Sequence, residues 1–175
     1  IALFLSILLL SSSVMARSPK AVENTPVYYL SLGTSLAAGV QADPLTGESI
    51  VTDVSYPSIL AESIGEDIKK LRHVNLGCPG ETSASFIDGG TCSYPHGSQL
   101  DEALHFLHAH GKFTGLITID LGANDVLPCA SGANIDIECF ETRLLNLAAN
   151  LQYILGLLRE AAGPDVPIVG MNYYN

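Results

Sequence analysis

The sequence predicts an α/β protein in which a parallel sheet is covered by helices on both faces. Short apolar runs alternate along the chain with longer stretches of helical spacing, which is the pattern of β-α-β units. One of the runs, "GLITIDLG", is almost continuously apolar, as a strand covered on both faces is. Each run is followed at once by a segment rich in Gly, Ser, Thr or Asn. In such sheets ligands bind beyond the carboxyl ends of the strands. The 175 residues, 47% hydrophobic and 15% charged, suffice for one globular domain with a sizeable core.

The chain opens on "IALFLSILLL" and "SSSVMA". The apolar run is too short for a membrane span, which takes about twenty residues. It reads as the apolar core of a secretory signal, with cleavage after Ala16, so residues 1–16 are assigned to a partial signal peptide and 17–175 to one domain. Residues 17–25 are a polar entry segment. "PVYYLSLG", from Pro26 to Gly33, predicts the first strand. "ADPLTGES" is a loop rich in turn formers. "YPSILAESIG", Tyr56 to Gly65, predicts a short helix with Pro57 near its start. A second strand follows from Leu71.

Residues 77–98 form a long loop rich in Gly, with Pro79, Pro95, Cys78 and Cys92. A helix begins at Ser98, where Ser98 and Asp101 approximate a capping box. Leu100, Ala103, Leu104 and Leu107 share one face of it, and Gly111 ends it. "GLITIDLG", Gly115 to Gly122, is the third strand. A loop from Leu127 to Cys139 leads to a long amphipathic helix over 140–162. Its stripe is Phe140, Leu144, Leu147, Leu151, Ile154, Leu155 and Leu158, and Gly163 and Pro164 stop it. "VPIVGMNYY" supplies the fourth strand.

The formal charge of −10 excludes the basic footprint of a nucleic-acid binder. Export makes the four cysteines a disulfide set. Of three connectivities, Cys78–Cys92 with Cys129–Cys139 is favoured, because each pair staples a Gly-containing loop. The pairs lack the close Cys-x-x-Cys spacing of structural zinc sites.

The strand-end rule selects Ser35, the 77–82 segment, and Asn124 with Asp125. A serine hydroxyl, a glycine amide and a carboxamide are the groups acyl transfer needs: a nucleophile and donors for the developing oxyanion. In order, "GTS", "PGETS" and "GAND" resemble the sequence blocks of the SGNH (GDSL) hydrolases, over residues 26–175. The resemblance implies a flavodoxin-like three-layer fold and a secreted esterase or lipase acting on small-molecule or lipid esters without a cofactor. It implies Ser35 as nucleophile, Gly80 as oxyanion amide with Gly77 as the fallback, and Asn124 as oxyanion carboxamide.

Two departures stand out. Thr34 replaces the family's Asp before the nucleophile. The family's Asp-x-x-His block, with its base, does not occur here. The expectation is therefore a fragment without its last strand and C-terminal helix, with little or no turnover by itself. His73 reads as a packed or edge residue. His105, His108 and His110 cluster at the end of one helix as solvated residues, and His96 lies in the stapled loop. Asp125 reads as a prop for the Asn124 loop, and Tyr56, Tyr94, Tyr173 and Tyr174 as packing residues. The other readings are a non-catalytic secreted binding module that keeps the fold and, more weakly, a flavodoxin-like nucleotide binder. The latter lacks a Gly-rich phosphate fingerprint.

Overall fold

The structure, a computed structural model, describes residues 25–172. The expected signal peptide and the end of the fourth strand at Tyr173 and Tyr174 lie outside the described residues. The described chain is a mixed α/β fold around a central parallel sheet. In chain order its main elements begin with β1 (Val27–Gly33), α1 (Ser35–Ala38), β2 (Val40–Ala42) and β3 (Ser49–Val51). They continue with α2 (Tyr56–Asp67), β4 (Leu71–Asn75), α3 (Ser83–Asp88), α4 (Gln99–His110) and β5 (Thr114–Asp120). Last come α5 (Ala123–Val126), β6 (Ala130–Ser131), β7 (Asn134–Ile135), α6 (Ile137–Ala162) and β8 (Ile168–Gly170).

The sheet order is β4-β1-β5-β8, and every pairing in it is parallel. Register places Leu30 beside Val74 and Ile117, and Gly33 beside Asp120. β1 and β5 therefore end together, and the segments after them leave from one edge.

Successive side chains of a strand point to opposite faces, and the two faces of this sheet differ. On one, Leu30, Leu32, Ile117 and Ile119 pack with Phe86 of α3, Leu100, Ala103 and Leu107 of α4, and Ile154, Leu158 and Ala162 of α6. Burying each such Leu or Ile contributes about 1.5–3 kcal/mol. On the other face the alternate residues Tyr29, Ser31, Thr118 and Asp120 are buried as well. They are satisfied by hydrogen bonds: Tyr29 with Thr118 at 2.8 Å, Ser31 with His73 at 2.8 Å, and Tyr56 of α2 with Asp120 at 3.1 Å. The expectation of strands apolar on both faces thus holds for one face, and the second is a buried polar file.

Local signals explain the helix starts. Ser55 and Ser58 form a reciprocal capping box at α2, and Pro57 occupies the first turn. Ser98 Oγ accepts the Asp101 amide at α4, but the Asp101 carboxylate takes the Ser98 hydroxyl at 2.9 Å, so the box is half formed. The loop expected over 77–98 contains a helix, α3, capped reciprocally by Thr82 and Ser85. At six residues it is too short for a periodic pattern. The "ADPLTGES" turn closes a small antiparallel hairpin, β2–β3, and a second hairpin, β6–β7, lies within the 127–139 loop.

In α6, Leu147, Ile154 and Leu158 are buried as the stripe predicts, whereas Leu144 (47% exposed) and Leu155 (39%) are not. Leu155 is one residue, and so about 100°, past Ile154 around the helix axis. Leu144 lies in the N-terminal turns, beyond Leu147, which meets Gly122 at the end of the sheet.

Both favoured disulfides are present, Cys78–Cys92 and Cys129–Cys139. No helix of the described residues is long and apolar enough to cross a membrane. The first bridge spans 14 positions and anchors the buried Cys78. Replacing both its cysteines by Ala is expected to cost about 3 kcal/mol. Urea unfolding measures this, and an unchanged midpoint would show that the loop is held without the bridge.

Candidate active site

Ser35 stands at the start of α1, two positions beyond Gly33, where β1 ends. Gly33 has φ +130°, and a Cβ there would lie 2.4 Å from the carbonyl oxygen of Asp120 and 2.4 Å from its carboxylate. No side chain fits, so Gly is required by contact as well as by conformation. Thr34 is buried and extended, and its amide donates to Asp120 Oδ2 at 3.0 Å. Its hydroxyl donates to the same oxygen at 2.5 Å. Tyr56 donates to Oδ1 at 3.1 Å. Burial pushes the Asp120 carboxyl above its usual range, and the hydrogen bonds from Thr34 and Tyr56 oppose that shift. Burial, with the Asp120 charge, pushes the Tyr56 phenol up, so it remains a donor at neutral pH.

Ser35 itself is half-buried. Among the described residues its hydroxyl has no hydrogen-bond partner.

The 75–82 segment is fastened to this turn. The Cys78 amide donates to the Gly33 carbonyl at 3.0 Å, and Asn75 Nδ2 donates to the Ala37 carbonyl at 2.7 Å. Gly77 and Gly80, the two candidates for an oxyanion amide, are placed differently. The Gly77 amide donates to Asn75 Oδ1 at 2.9 Å, and a Cβ on Gly77 would meet the Ala38 nitrogen at 2.6 Å. Gly77 is thus a close-packing glycine with an occupied amide. Gly80 is exposed, with φ +81°, and nothing nearer than 3.9 Å would meet its Cβ. Among the described residues its amide has no hydrogen-bond partner.

Asn124 follows Gly122, whose φ of +120° opens α5 against Leu147. One N–H of its carboxamide donates to the Glu81 carbonyl at 2.9 Å, fixing the group beside Gly80 in sequence. The second N–H remains as a donor. Asp125, as expected, props this loop: both its oxygens accept the Ser83 amide at 3.0 Å, and one accepts the Ser83 hydroxyl. Asn150 of α6 donates to that hydroxyl in turn, at 2.9 Å.

Beneath these segments lies a buried pair. Gln99, at the start of α4, accepts the Gly33 amide at 2.6 Å and donates to the Gly33 carbonyl at 3.1 Å and to Glu81 Oε2 at 2.9 Å. Gly33, Cys78, Glu81, Gln99 and Asn124 thus form one continuous network. The turn of Ser35, the segment of Gly80 and the loop of Asn124 leave the same end of the sheet and are bonded together.

A cavity of about 330 Å³ opens beside α1, lined by Leu36, Val40, Val54, Tyr56, Ile59 and Met171 among others. Among the described residues none of the histidine contacts involves Ser35. His73, on edge strand β4, bonds Ser31 and stacks on Tyr29 with ring centroids 4.7 Å apart, and burial lowers its pKa. His96 pairs with Glu102 at 2.7 Å and stacks on His105. His110 packs against Tyr28 and Phe106, and His108 is exposed. Among the described residues no group of three or more His, Cys, Asp or Glu is placed to hold a metal ion.

Sequence reasoning did not single out Asp120, Gln99 or Glu81, and it gave Tyr56 a packing role alone. Asp120 had one visible signal, a carboxylate closing an otherwise apolar strand. Gln99 and Glu81 had none.

A family model described as the GDSL-like lipase/acylhydrolase family matches residues 31–175. The chain belongs to that family. Its fold recurs in a lipase, Lip_vut3, from a goat rumen metagenome, with a TM-score of 0.59 and 19% identity over 85% of this chain and 65% of that one. An extracellular lipase from Streptomyces rimosus gives a TM-score of 0.52 at 20% identity, covering 84% of this chain and 60% of the lipase. AlinE4, an SGNH-hydrolase family esterase, gives 0.51 at 22% identity, covering 84% and 59%. The chain thus spans 59–65% of the length of these structures. No curated protein sequence matches it.

Family membership gives the three sequence blocks of this member a common setting, and Gln99 is the side chain that ties the first block to the second. Gln99→Leu keeps the volume but leaves the Gly33 amide and the Glu81 carboxylate without their partner. The expected loss is about 2–4 kcal/mol. Urea denaturation at neutral pH reads it, and a loss under about 0.5 kcal/mol would fall within the range of ordinary surface substitutions and remove Gln99 from the network.

Proposed function

We propose that this chain carries the nucleophile and the oxyanion hole of a secreted carboxylic ester hydrolase. The observation that supports this most strongly is the hydrogen-bonded network that joins the turn before Ser35 to the segments holding Gly80 and Asn124. In this reading Ser35 Oγ forms a bond to the acyl carbon as its proton passes to a base. The carbonyl becomes an oxyanion, met by the Ser35 amide, the Gly80 amide and the second N–H of Asn124. Its collapse breaks the bond to the alcohol, which leaves carrying a proton, and water then cleaves the acyl-enzyme. No metal or organic cofactor takes part. The cavity beside Leu36 would receive an apolar part of a small-molecule or lipid ester.

The base is the group these residues do not provide, since the contacts of the histidines lie elsewhere. We take it from an Asp-x-x-His block in sequence beyond this chain. Residues 1–175 alone would then hydrolyse esters at least about 10³-fold more slowly than the protein expressed from its complete reading frame. Equal rates would refute this. Two disulfides fit an oxidising compartment, which is the basis for proposing secretion.

That none of the histidine contacts among the described residues involves Ser35 favours a second reading, a secreted binding module that keeps the fold. A serine-reactive fluorophosphonate distinguishes the two in the complete protein. The hydrolase is labelled at Ser35, and the binding module is not. In the hydrolase, Ser35→Ala abolishes labelling and turnover, and Asn124→Ala lowers kcat by about 10²–10³. Retained turnover in Ser35→Ala would eliminate Ser35 as the nucleophile.

A further inference from the structure

The turn that presents Ser35 lacks the acid that the family places directly before its nucleophile, because position 34 is Thr. A carboxylate is present nevertheless, and it comes from the neighbouring strand. Asp120 ends β5 opposite Gly33 and is 1% exposed. Its Oδ2 accepts both the amide and the hydroxyl of Thr34, and its Oδ1 accepts the Tyr56 hydroxyl. Two hydrogen bonds from Thr34 and one from Tyr56 thus hold the residue directly before Ser35 and the start of α2 on one side chain.

We propose that Asp120 is the positioning residue of the nucleophile turn, supplying from β5 the carboxylate that Thr34 does not supply from the turn itself. The inference rests on reading Ser35 as the nucleophile. A threonine in place of an aspartate removes a charged acceptor at position 34 and brings a hydroxyl that here donates. The donor then needs an acceptor across the strand, and Asp120 is that acceptor. The two positions form one pair, Thr34 with Asp120, and exchanging one member alone breaks it. Two aspartates there would place like charges together, and Thr34 opposite an amide would lose the ionised acceptor that takes two hydrogen bonds at one oxygen.

The position is poor for a residue that serves stability alone. Burial raises the Asp120 pKa, so between the unfolded and folded values the folded chain holds a proton that the unfolded chain has released. The stability associated with this group is therefore greatest below the unfolded value and is lost as pH rises through the folded one. The groups facing Asp120 are Thr34 and Ala37 from the turn, Tyr56 from α2, Tyr29 from β1 and Thr118 of its own strand. Both tyrosines have pKa values raised chiefly by burial, so they do not titrate in this acidic window. Asn at position 120 carries no such dependence.

The test uses the protein expressed from its complete reading frame, with Ser35→Ala as the control. Asp120→Asn is expected to lower kcat by about 10- to 100-fold with KM little changed, since the turn that aims the nucleophile is what loosens. At the same time its Tm relative to wild type should rise as pH goes from acid to neutral. A role in stability alone would instead lower Tm and activity together. The pair is tested by Thr34→Asp/Asp120→Asn, which returns an ionised acceptor to the turn and should recover about tenfold in kcat over Asp120→Asn. Wild-type kcat in Asp120→Asn, or a double variant no better than that single one, overturns the inference while leaving Ser35 in place. Retained turnover in Ser35→Ala overturns the nucleophile reading and this inference with it, so the two failures are separate results.

Discussion

Gly33 and Asp120 approach so closely that a methyl group on Gly33 would overlap both the main-chain carbonyl and the carboxylate of Asp120. The rest of the site is arranged around that approach. It lets the ends of β1 and β5 meet, so the chain leaving β1 passes directly over the Asp120 side chain. The carboxylate then takes the Thr34 amide and hydroxyl, while Gln99 takes both main-chain groups of Gly33 from the other side. A peptide held from two sides at once has little freedom, and Ser35 follows it by two positions.

The difference between the two sheet faces follows from the same geometry. Burying polar groups is unfavourable unless each finds a partner. On the α2 face, Tyr29, Thr118, Asp120, Tyr56, Ser31 and His73 all do, and among the described residues no buried side-chain N or O lacks one. The apolar face, with α3, α4 and α6, supplies the hydrophobic stabilisation that such a polar file does not. Packing strength lies on one side of the sheet and directional bonding on the other, and the two meet at the strand ends. There, Asp125 and Asn150 fasten Ser83, so the apolar layer also fixes the loop that carries Asn124.

Much of this was legible in the sequence because it is local. The runs Pro26–Gly33 and Gly115–Gly122 read as strands, and Val27–Gly33 and Thr114–Asp120 are; Pro57 and Ser98 marked helix starts, and the cysteine pairing favoured is the one present. What was not legible depends on residues far apart in the chain. Gln99 meets Gly33 across 66 positions, and Asp120 meets Thr34 across 86, and no periodicity encodes such partners. Thr118 and Asp120 were read as part of an apolar run because their faces are distinguished by what packs on them. Short elements escaped for a different reason. The helix from Ser83 to Asp88 and the hairpin around Asp43–Glu48 contain too few residues to repeat a pattern. The choice between Gly77 and Gly80 likewise needed contacts, because spacing alone left both open.

Gly80 lies inside the covalent ring closed by Cys78 and Cys92, and Asn124 reaches that ring's neighbourhood through Glu81. The conformation of this stretch is therefore tied to the redox history of the polypeptide. While the two thiols are apart, the stretch is free to sample many shapes, and the closed ring removes part of that freedom.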